Sequence, residues 1–262
     1  MKAIPLALAT ILTLAPGARA ETSPTRAFQP GERLTYRLDW LGIEAARAVM
    51  AVEGPIAGSE GPLLRFSARA RSAAWLSYIY PVDDLAVSLV DLRGLFSRRF
   101  LLRQREGFRY RSFKRLLFEE GRVTYIRDER PPRTYKTPGW VQDALSALYK
   151  VRTMALRPGR EVQVSVFDSK RNWRIGVVVH RREVLPTRWG PIRSLLVRPR
   201  LRSEGIFRRR GDLLLWLSDD SAKIPLQMKS SSPIGPFKAQ LVRAEGVGGL
   251  LSRPALPAGE LP

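Results

Sequence analysis

The chain has 262 residues, 44% of them hydrophobic, and no cysteine. That length and composition suit one large all-β domain or two small ones, and they argue against intrinsic disorder. The missing cysteine excludes disulfides, cysteine zinc sites and a thiol nucleophile. A formal charge of +21, from 45 basic and 24 acidic residues, points to a polyanionic partner. A codon bias toward arginine, with charges scattered for solubility, would give the same total.

The N-terminus reads MKAIPLALATILTLAPGARAETS. Lys2 is a positive n-region, Ile4 to Leu14 an apolar core, and Ala18-Arg19-Ala20 a small-x-small cleavage pattern. Residues 1–20 are therefore predicted to be a signal peptide cleaved after Ala20, which places the mature chain in the periplasm. The apolar run is shorter than the roughly 20 residues a membrane span needs, and no later run is long enough. In that compartment the polyanion would be a lipid headgroup, a lipopolysaccharide phosphate or an acidic glycan, and not nucleic acid.

Residues 21–27 read as a polar linker and 28–245 as a single domain. In RLTYRLDW, Leu34, Tyr36, Leu38 and Trp40 alternate with polar residues, which is the pattern of a half-buried strand. IEAARAVMAV continues as a second strand rich in small residues, and GPIAGSEGP reads as a loop. LLRFSARARS and LAVSLVDL are strands, with a short helix expected in SAAWLSYIY between them. Residues 97–127 predict a three-strand meander, in which Phe108 and Tyr110 face one side and Arg109 and Arg111 the other. The proline-rich 128–139 reads as a loop. WVQDALSALYKVRTM, 140–154, is the one main helix, with an apolar face at Val141, Ala144, Leu145 and Leu148. Asp143 suits its N-terminus, and Lys150 and Arg152 its C-terminus. Strands follow at EVQVSVF, NWRIGVVVH, EVLPTRW, IRSLLVRPRL, DLLLWL, IPLQMK and FKAQLVRA. Residues 246–262 read as a flexible tail. The expected fold is mostly β: a curved antiparallel sheet, an open barrel or half-barrel, with the helix packed on its concave side.

The chemistry-bearing residues are sparse. His180 is the single histidine, and no GxSxG elbow accompanies it. Neither a P-loop, a GxGxxG nor an EF-hand loop is present, so no cofactor and no metal are expected. The stretch LLLWLSDDSAKIPLQM, 213–228, poses the sharpest question: Asp219 and Asp220 can be catalytic carboxylates or an ordinary turn. Serine and aspartate favour turns because their side chains bond nearby backbone N–H groups, so a hairpin loop is the simpler reading. Two arginine columns, Arg109 and Arg111, then Arg198, Arg200 and Arg202, are candidates for an anion-binding surface.

The segments GERLTYRLDWLGI (31–43), YPVDDLAVSLVD (80–91), VQDALSALYKVR (141–152) and GDLLLWLSDDSAKIPLQMKSSSPIGPFKAQL (211–241) resemble the domain-of-unknown-function 3108 family of exported bacterial proteins. The resemblance implies an exported, mostly antiparallel β fold around one helix and names no catalytic residue. A fold-level analogy extends to the open barrels of the periplasmic lipoprotein carriers LolA and LolB, which hold acyl chains.

These features together predict a non-enzymatic periplasmic protein that binds an amphiphilic or anionic envelope component. Its candidate ligand contacts are Tyr36, Trp40, Asp84, Asp143, Leu148, Tyr149, Arg152 and Trp216; Leu38, Phe108, Tyr110 and Leu215 are further candidates for an apolar lining. The alternatives are an envelope hydrolase using Asp84, Asp143 or Asp220, and a structural partner in an envelope complex.

Overall fold

The computed structural model of the chain describes residues 27–201, 213–232, 235–248 and 251. The predicted signal peptide, nearly all of the linker and Arg202 lie outside the described residues. Eight strands form a first meander: β1 (Arg33–Trp40), β2 (Ile43–Ile56), β3 (Leu63–Ser72), β4 (Asp83–Asp91), β5 (Ser97–Glu106), β6 (Tyr110–Glu119), β7 (Arg122–Arg127) and β8 (Arg133–Lys136). Six more form a second: β9 (Glu161–Asp168), β10 (Arg171–Thr187), β11 (Gly190–Leu201), β12 (Leu213–Ser218), β13 (Pro225–Ser232) and β14 (Gly235–Glu245). Strand β14 pairs with β1, so the two meanders make one antiparallel sheet of 14 strands with β8 and β9 at its edges. The sheet is not closed by a β8–β9 ladder. The helices are α1 (Ala74–Ser77), between β3 and β4, and α2 (Ala144–Arg152), between β8 and β9.

Residues directly opposed in an antiparallel ladder share a face. One face carries Leu64, Phe66, Ser88, Val90, Phe100, Leu116 and Phe118, all buried. Helix α2 packs on this face, against β3, β4 and β9. Tyr149 stacks on Phe66 with ring centroids 3.9 Å apart, and Phe28 meets both rings edge-on. A second buried cluster gathers Val151, Leu156 and inward residues of β9 to β12, including Val179, Val197, Leu215 and Leu217. Leu148 touches both clusters.

The helix is shorter than its apolar periodicity suggests. Gln142 is drawn into a parallel bridge with β9: its N–H donates to the Ser165 carbonyl at 2.9 Å, and Phe167 N–H donates to its own carbonyl at 2.8 Å. Trp140 stacks on Phe96 at 4.0 Å, with the Arg98 guanidinium 4.4 Å from the indole. Those contacts hold 140–142 extended, so Asp143 becomes the N-cap.

Other sequence expectations shift for equally local reasons. Strand β8 lies inside the stretch read as a proline loop; its four residues are too few to show a period. NWRIGVVVH and EVLPTRW are one strand, β10, continuous through a bulge at His180, which is exposed and unopposed between Val179 and Arg181. Phe108 sits in the β5–β6 turn, 67% exposed, and Tyr110 is exposed beside it, so neither lines the core. Within the predicted tail, Val247 and Leu251 pack into the core. Gly246 has φ +61°, and a Cβ there would lie 2.2 Å from the Gly31 carbonyl oxygen, so only glycine permits that close approach.

On the opposite face, Asp83 binds Arg69 bidentately at 2.8 Å and lies 3.4 Å from Arg71. Those hydrogen bonds, Arg69 first, hold its carboxyl at about 2 against partial burial. A folded-state value below the usual 3.8 means the contribution is present above that value and is lost as pH falls through about 2. Asp83→Asn is therefore expected to cost about 0.5–1 kcal/mol at pH 7, and progressively less as pH falls from about 4 to 2. Urea denaturation of both proteins across that range measures the convergence; curves that stay parallel would rule it out.

Candidate functional site

Because consecutive strands run in opposite directions, the turns gather at two ends. The helix end holds 57–62, 92–96, 120–121, 188–189 and 219–224; the far end holds 41–42, 73–82, 107–109, 128–132 and 169–170. Four of the sequence-predicted ligand contacts belong to a closed assembly at the helix end. Arg152 and Glu32 are essentially unexposed. Arg152 donates to both Glu32 oxygens at 2.6 and 2.7 Å, to the Ala27 carbonyl at 2.6 Å and to the Ala222 carbonyl at 3.1 Å. Burial is the largest single influence and works against the Arg152 charge, but the Glu32 hydrogen bonds and charge, with Tyr149 and Tyr36, together outweigh it, and its pKa is raised. The guanidinium also lies 5.2 Å from the Tyr149 ring. Tyr36 donates its hydroxyl to the Pro225 carbonyl at 2.8 Å.

Asp143 is buried and saturated. It accepts from Ser88 Oγ at 2.5 Å, Ser97 Oγ at 2.7 Å and the N–H groups of Leu145 and Ser146 at 2.8 and 2.9 Å. Asp143, Tyr149, Arg152 and Tyr36 thus fasten α2 to the sheet and to residues 27–32, and leave no polar edge on a solvent-accessible surface. The 219–224 turn joins the same assembly. Asp220 accepts from Ser218 Oγ and from the N–H groups of Ala222 and Lys223, while Asp219 pairs with Arg182 at 2.8 Å. The SDDSAK carboxylates organise a turn whose Ala222 carbonyl meets Arg152.

Beyond α2 the same sheet face changes character. Ala86 follows Ser88 toward the far end, opposite Ala68; Ala70 lies opposite Ala48, and Ala46 and Ala239 flank Leu38 on neighbouring strands. All six alanines are half-buried, as are Leu38, Leu102 and Met228. Methyl groups are the shortest side chains that keep a surface apolar, so this strip is a low apolar floor that borders the core and stays partly accessible. Trp40, stacked on Phe237 at 6.5 Å, continues it at the far end.

Polar groups border the strip. Asp84, in register with Ala70, accepts from Arg105 N–H and hydrogen-bonds Glu106. Burial, then the Asp84 charge, raises the Glu106 pKa. Lys114 donates to Gln104 at 3.0 Å, which donates to Glu106 at 2.8 Å. Further toward the β8–β9 edge lies a cavity of about 260 Å³ lined by Tyr125, Arg127, Arg130, Pro131, Arg133 and Lys170. Arg127 stands opposite Lys114 and Arg133 opposite Tyr125, which puts them on the helix-bearing face. The lining holds four cations and no acid; Asp128 lies 3.4 Å from Arg127, and both Asp128 and Asp168 act on Tyr125. Arg130 and Arg133 make no side-chain bond among the described residues.

Two other predicted features fall elsewhere. Trp216 lies between Leu215 and Leu217 and so points to the opposite face, where its N–H donates to Glu183 and Lys229 sits 5.4 Å above its ring. Lys229 in turn helps line a different cavity, about 660 Å³, with Arg37, Asp39, Leu214, Phe237 and Lys238 among others. Arg109 and Arg111 are exposed near the far end, as is Arg200, with Arg198 half-buried beside it; the two columns stand on widely separated strands. No group of three or more potential metal ligands occurs among the described residues. Nor is any helix among them long and apolar enough to cross a membrane.

A family model described as a protein of unknown function, DUF3108, matches residues 35–242. The chain belongs to this family. The DUF3108 match spans α2, the alanine strip and the cationic cavity, and leaves Glu32 just outside it. No curated protein matches the sequence. Among solved structures, the chain is similar to a β-barrel-like DUF1849 protein from Brucella abortus, with TM-score 0.56 and 14% identity over 82% of this chain and 97% of the other. A putative exported protein with a YmcC-like fold from Bacteroides fragilis aligns over 82% of this chain and 96% of its own, at 10% identity and TM-score 0.36. The first likeness supports a barrel-like β architecture for this DUF3108 chain.

Proposed function

We propose that the protein is an exported, periplasmic, non-enzymatic binder of an anionic amphiphile from the cell envelope. The sheet curls around α2, which packs on the concave side and fills only the helix end. Helix α2 touches both β4 and β9, which a flat sheet would hold roughly 43 Å apart at the usual strand spacing. The two edges also approach one another: Tyr135 meets Phe167 at 5.5 Å, and Asn172 donates to the Lys136 carbonyl at 2.7 Å. The observation that carries the reading is the partly accessible alanine strip together with a cavity of four cations on the same face, separated from it by β5 and β6. An acyl chain suits the strip, and a negatively charged headgroup suits Arg127, Arg130, Arg133 and Lys170.

Titration with dansyl-undecanoate tests it. Wild-type protein is expected to bind saturably, and more weakly as salt screens the exposed arginines. Ala68→Trp, which places an indole on the strip, is expected to weaken binding by about tenfold or more, since it forfeits most of the apolar contact area. Circular dichroism and thermal melting verify that the variant folds. Binding unchanged in folded Ala68→Trp would refute the strip as the site.

The Asp84–Glu106 pair favours a second reading, a hydrolase. The raised Glu106 could serve as an acid. The two carboxyls are hydrogen-bonded to each other, however, whereas the paired acids of glycosidases stand about 5–9 Å apart across the scissile bond. Amphiphile binding is therefore the better-supported reading.

A further inference from the structure

The two ends of the sheet differ in what they expose. At the far end Tyr78 is 86% exposed, Ile79 and Phe108 67%, Leu41 59%, Tyr80 49% and Trp75 43%. These side chains come from three successive turns: Leu41 from 41–42, Trp75 to Tyr80 from 73–82, and Phe108 from 107–109. The turns are mutually braced. Gly107 N–H donates to the Pro81 carbonyl at 2.8 Å, Arg111 donates to the Gly107 carbonyl at 3.1 Å, and the Trp75 indole N–H donates to the Glu44 carbonyl at 2.9 Å. The apolar groups are thus presented by a held rim. At the helix end, the large apolar side chains exposed near the turns among the described residues are Ile56, Leu117 and Val184, one each on β2, β6 and β10, and Glu119 and Glu120 stand at the 120–121 turn.

Isolated exposed apolar residues need no explanation, but a contiguous group at one end of the molecule does. Its composition is tryptophan, tyrosine, phenylalanine, isoleucine and leucine, with Arg109 and Arg111 in the same turn region and Arg130 and Lys170 on neighbouring turns. Amphipathic aromatics beside cations are what the headgroup region of an anionic bilayer accommodates. The rings enter the acyl boundary, and the guanidinium groups remain among the phosphates.

We propose that this rim docks the far end of the protein onto an anionic membrane surface, so that the mouth of the sheet faces the bilayer. The rim requires neither a long helix nor a lipid anchor, and the docking does not depend on the alanine strip holding a ligand.

The chain has no cysteine, so single cysteines report cleanly. Ile79→Cys at the rim and Glu120→Cys at the helix end are labelled with an environment-sensitive dye. Each is mixed with protein-free vesicles of phosphatidylcholine, with or without phosphatidylglycerol. The dye at 79 is expected to shift to shorter wavelength and brighten on the anionic vesicles, and the dye at 120 to stay unchanged. Arg109→Glu and, separately, Tyr78→Ser/Phe108→Ser are expected to weaken vesicle binding by about tenfold or more, the first through phosphate contacts and the second through lost apolar burial. Equal responses at 79 and 120, or none on any vesicle, would overturn the proposal. A protein partner at the rim would give that null response. A dye at 79 already shifted without vesicles, together with a dimer in sedimentation, would assign the rim to a second copy of the chain and also overturn it. Loss of dansyl-undecanoate binding with vesicle docking retained would refute the ligand strip and leave the rim intact.

Discussion

Replacing Arg152 by alanine is expected to destabilise the fold by about 3–5 kcal/mol, because it leaves a buried carboxylate without its partner. Glu32 loses both charge-assisted hydrogen bonds, and the carbonyls of Ala27 and Ala222 lose their donor. Those groups come from the entry to β1, the end of α2 and the β12–β13 turn, so one guanidinium ties three distant segments together. Removing both charges is a different experiment. Arg152→Met with Glu32→Leu is expected to recover much of the loss, since a buried pair offsets little more than its own desolvation. Denaturant unfolding of the single and double variants measures this. A double variant as unstable as Arg152→Ala would mean that the Arg152 bonds to Ala27 and Ala222, and not the charge pair, hold the segments.

Asp143→Ala is the second large effect, expected at about 2–4 kcal/mol. It removes an N-cap and leaves the buried hydroxyls of Ser88 and Ser97 without their acceptor. Asp143→Asn keeps a cap oxygen and is expected to lose less. The two differ in pH dependence as well. Burial raises the Asp143 carboxyl above its usual value, against the opposing hydrogen bonds from Ser88, Ser146, Ser97 and Leu145. A raised folded-state value means its contribution is full below the unfolded-state value, near 3.8, and declines as pH rises through the folded-state value. The advantage of the wild type over Asp143→Asn is therefore expected to shrink as pH rises from 4. An advantage that grows with pH would show the ionised form to be the favoured one.

The antiparallel strands were legible where polar and apolar residues alternate, as in Arg33–Trp40. The face of Trp216 was not, because LLLWL is apolar throughout and period two has nothing to alternate against. Trp216 therefore does not share a site with Trp40: the two point to opposite sides of the sheet. The main helix was legible from its periodicity, but its start depends on Gln142 joining β9, a contact between residues 24 apart that no local pattern encodes. The Arg152–Glu32 pair spans 120 residues, and sequence offered only a helix-end charge in its place. Alanines in IEAARAVMAV and FSARA read as strands rich in small residues, whereas in the sheet their shortness keeps the strip low, apolar and half-buried. The cationic cavity unites β7, β8 and the β9–β10 turn from opposite edges of the sheet; only curvature brings Lys170 to Tyr125.

Native mass spectrometry of the protein purified from its own envelope without detergent tests the central claim most directly. The account predicts a 1:1 adduct whose released mass is an anionic amphiphile, present on the wild type and absent from folded Ala68→Trp. A wild-type protein that emerges bare and takes up no added anionic amphiphile, or an adduct retained at equal occupancy in Ala68→Trp, would contradict it.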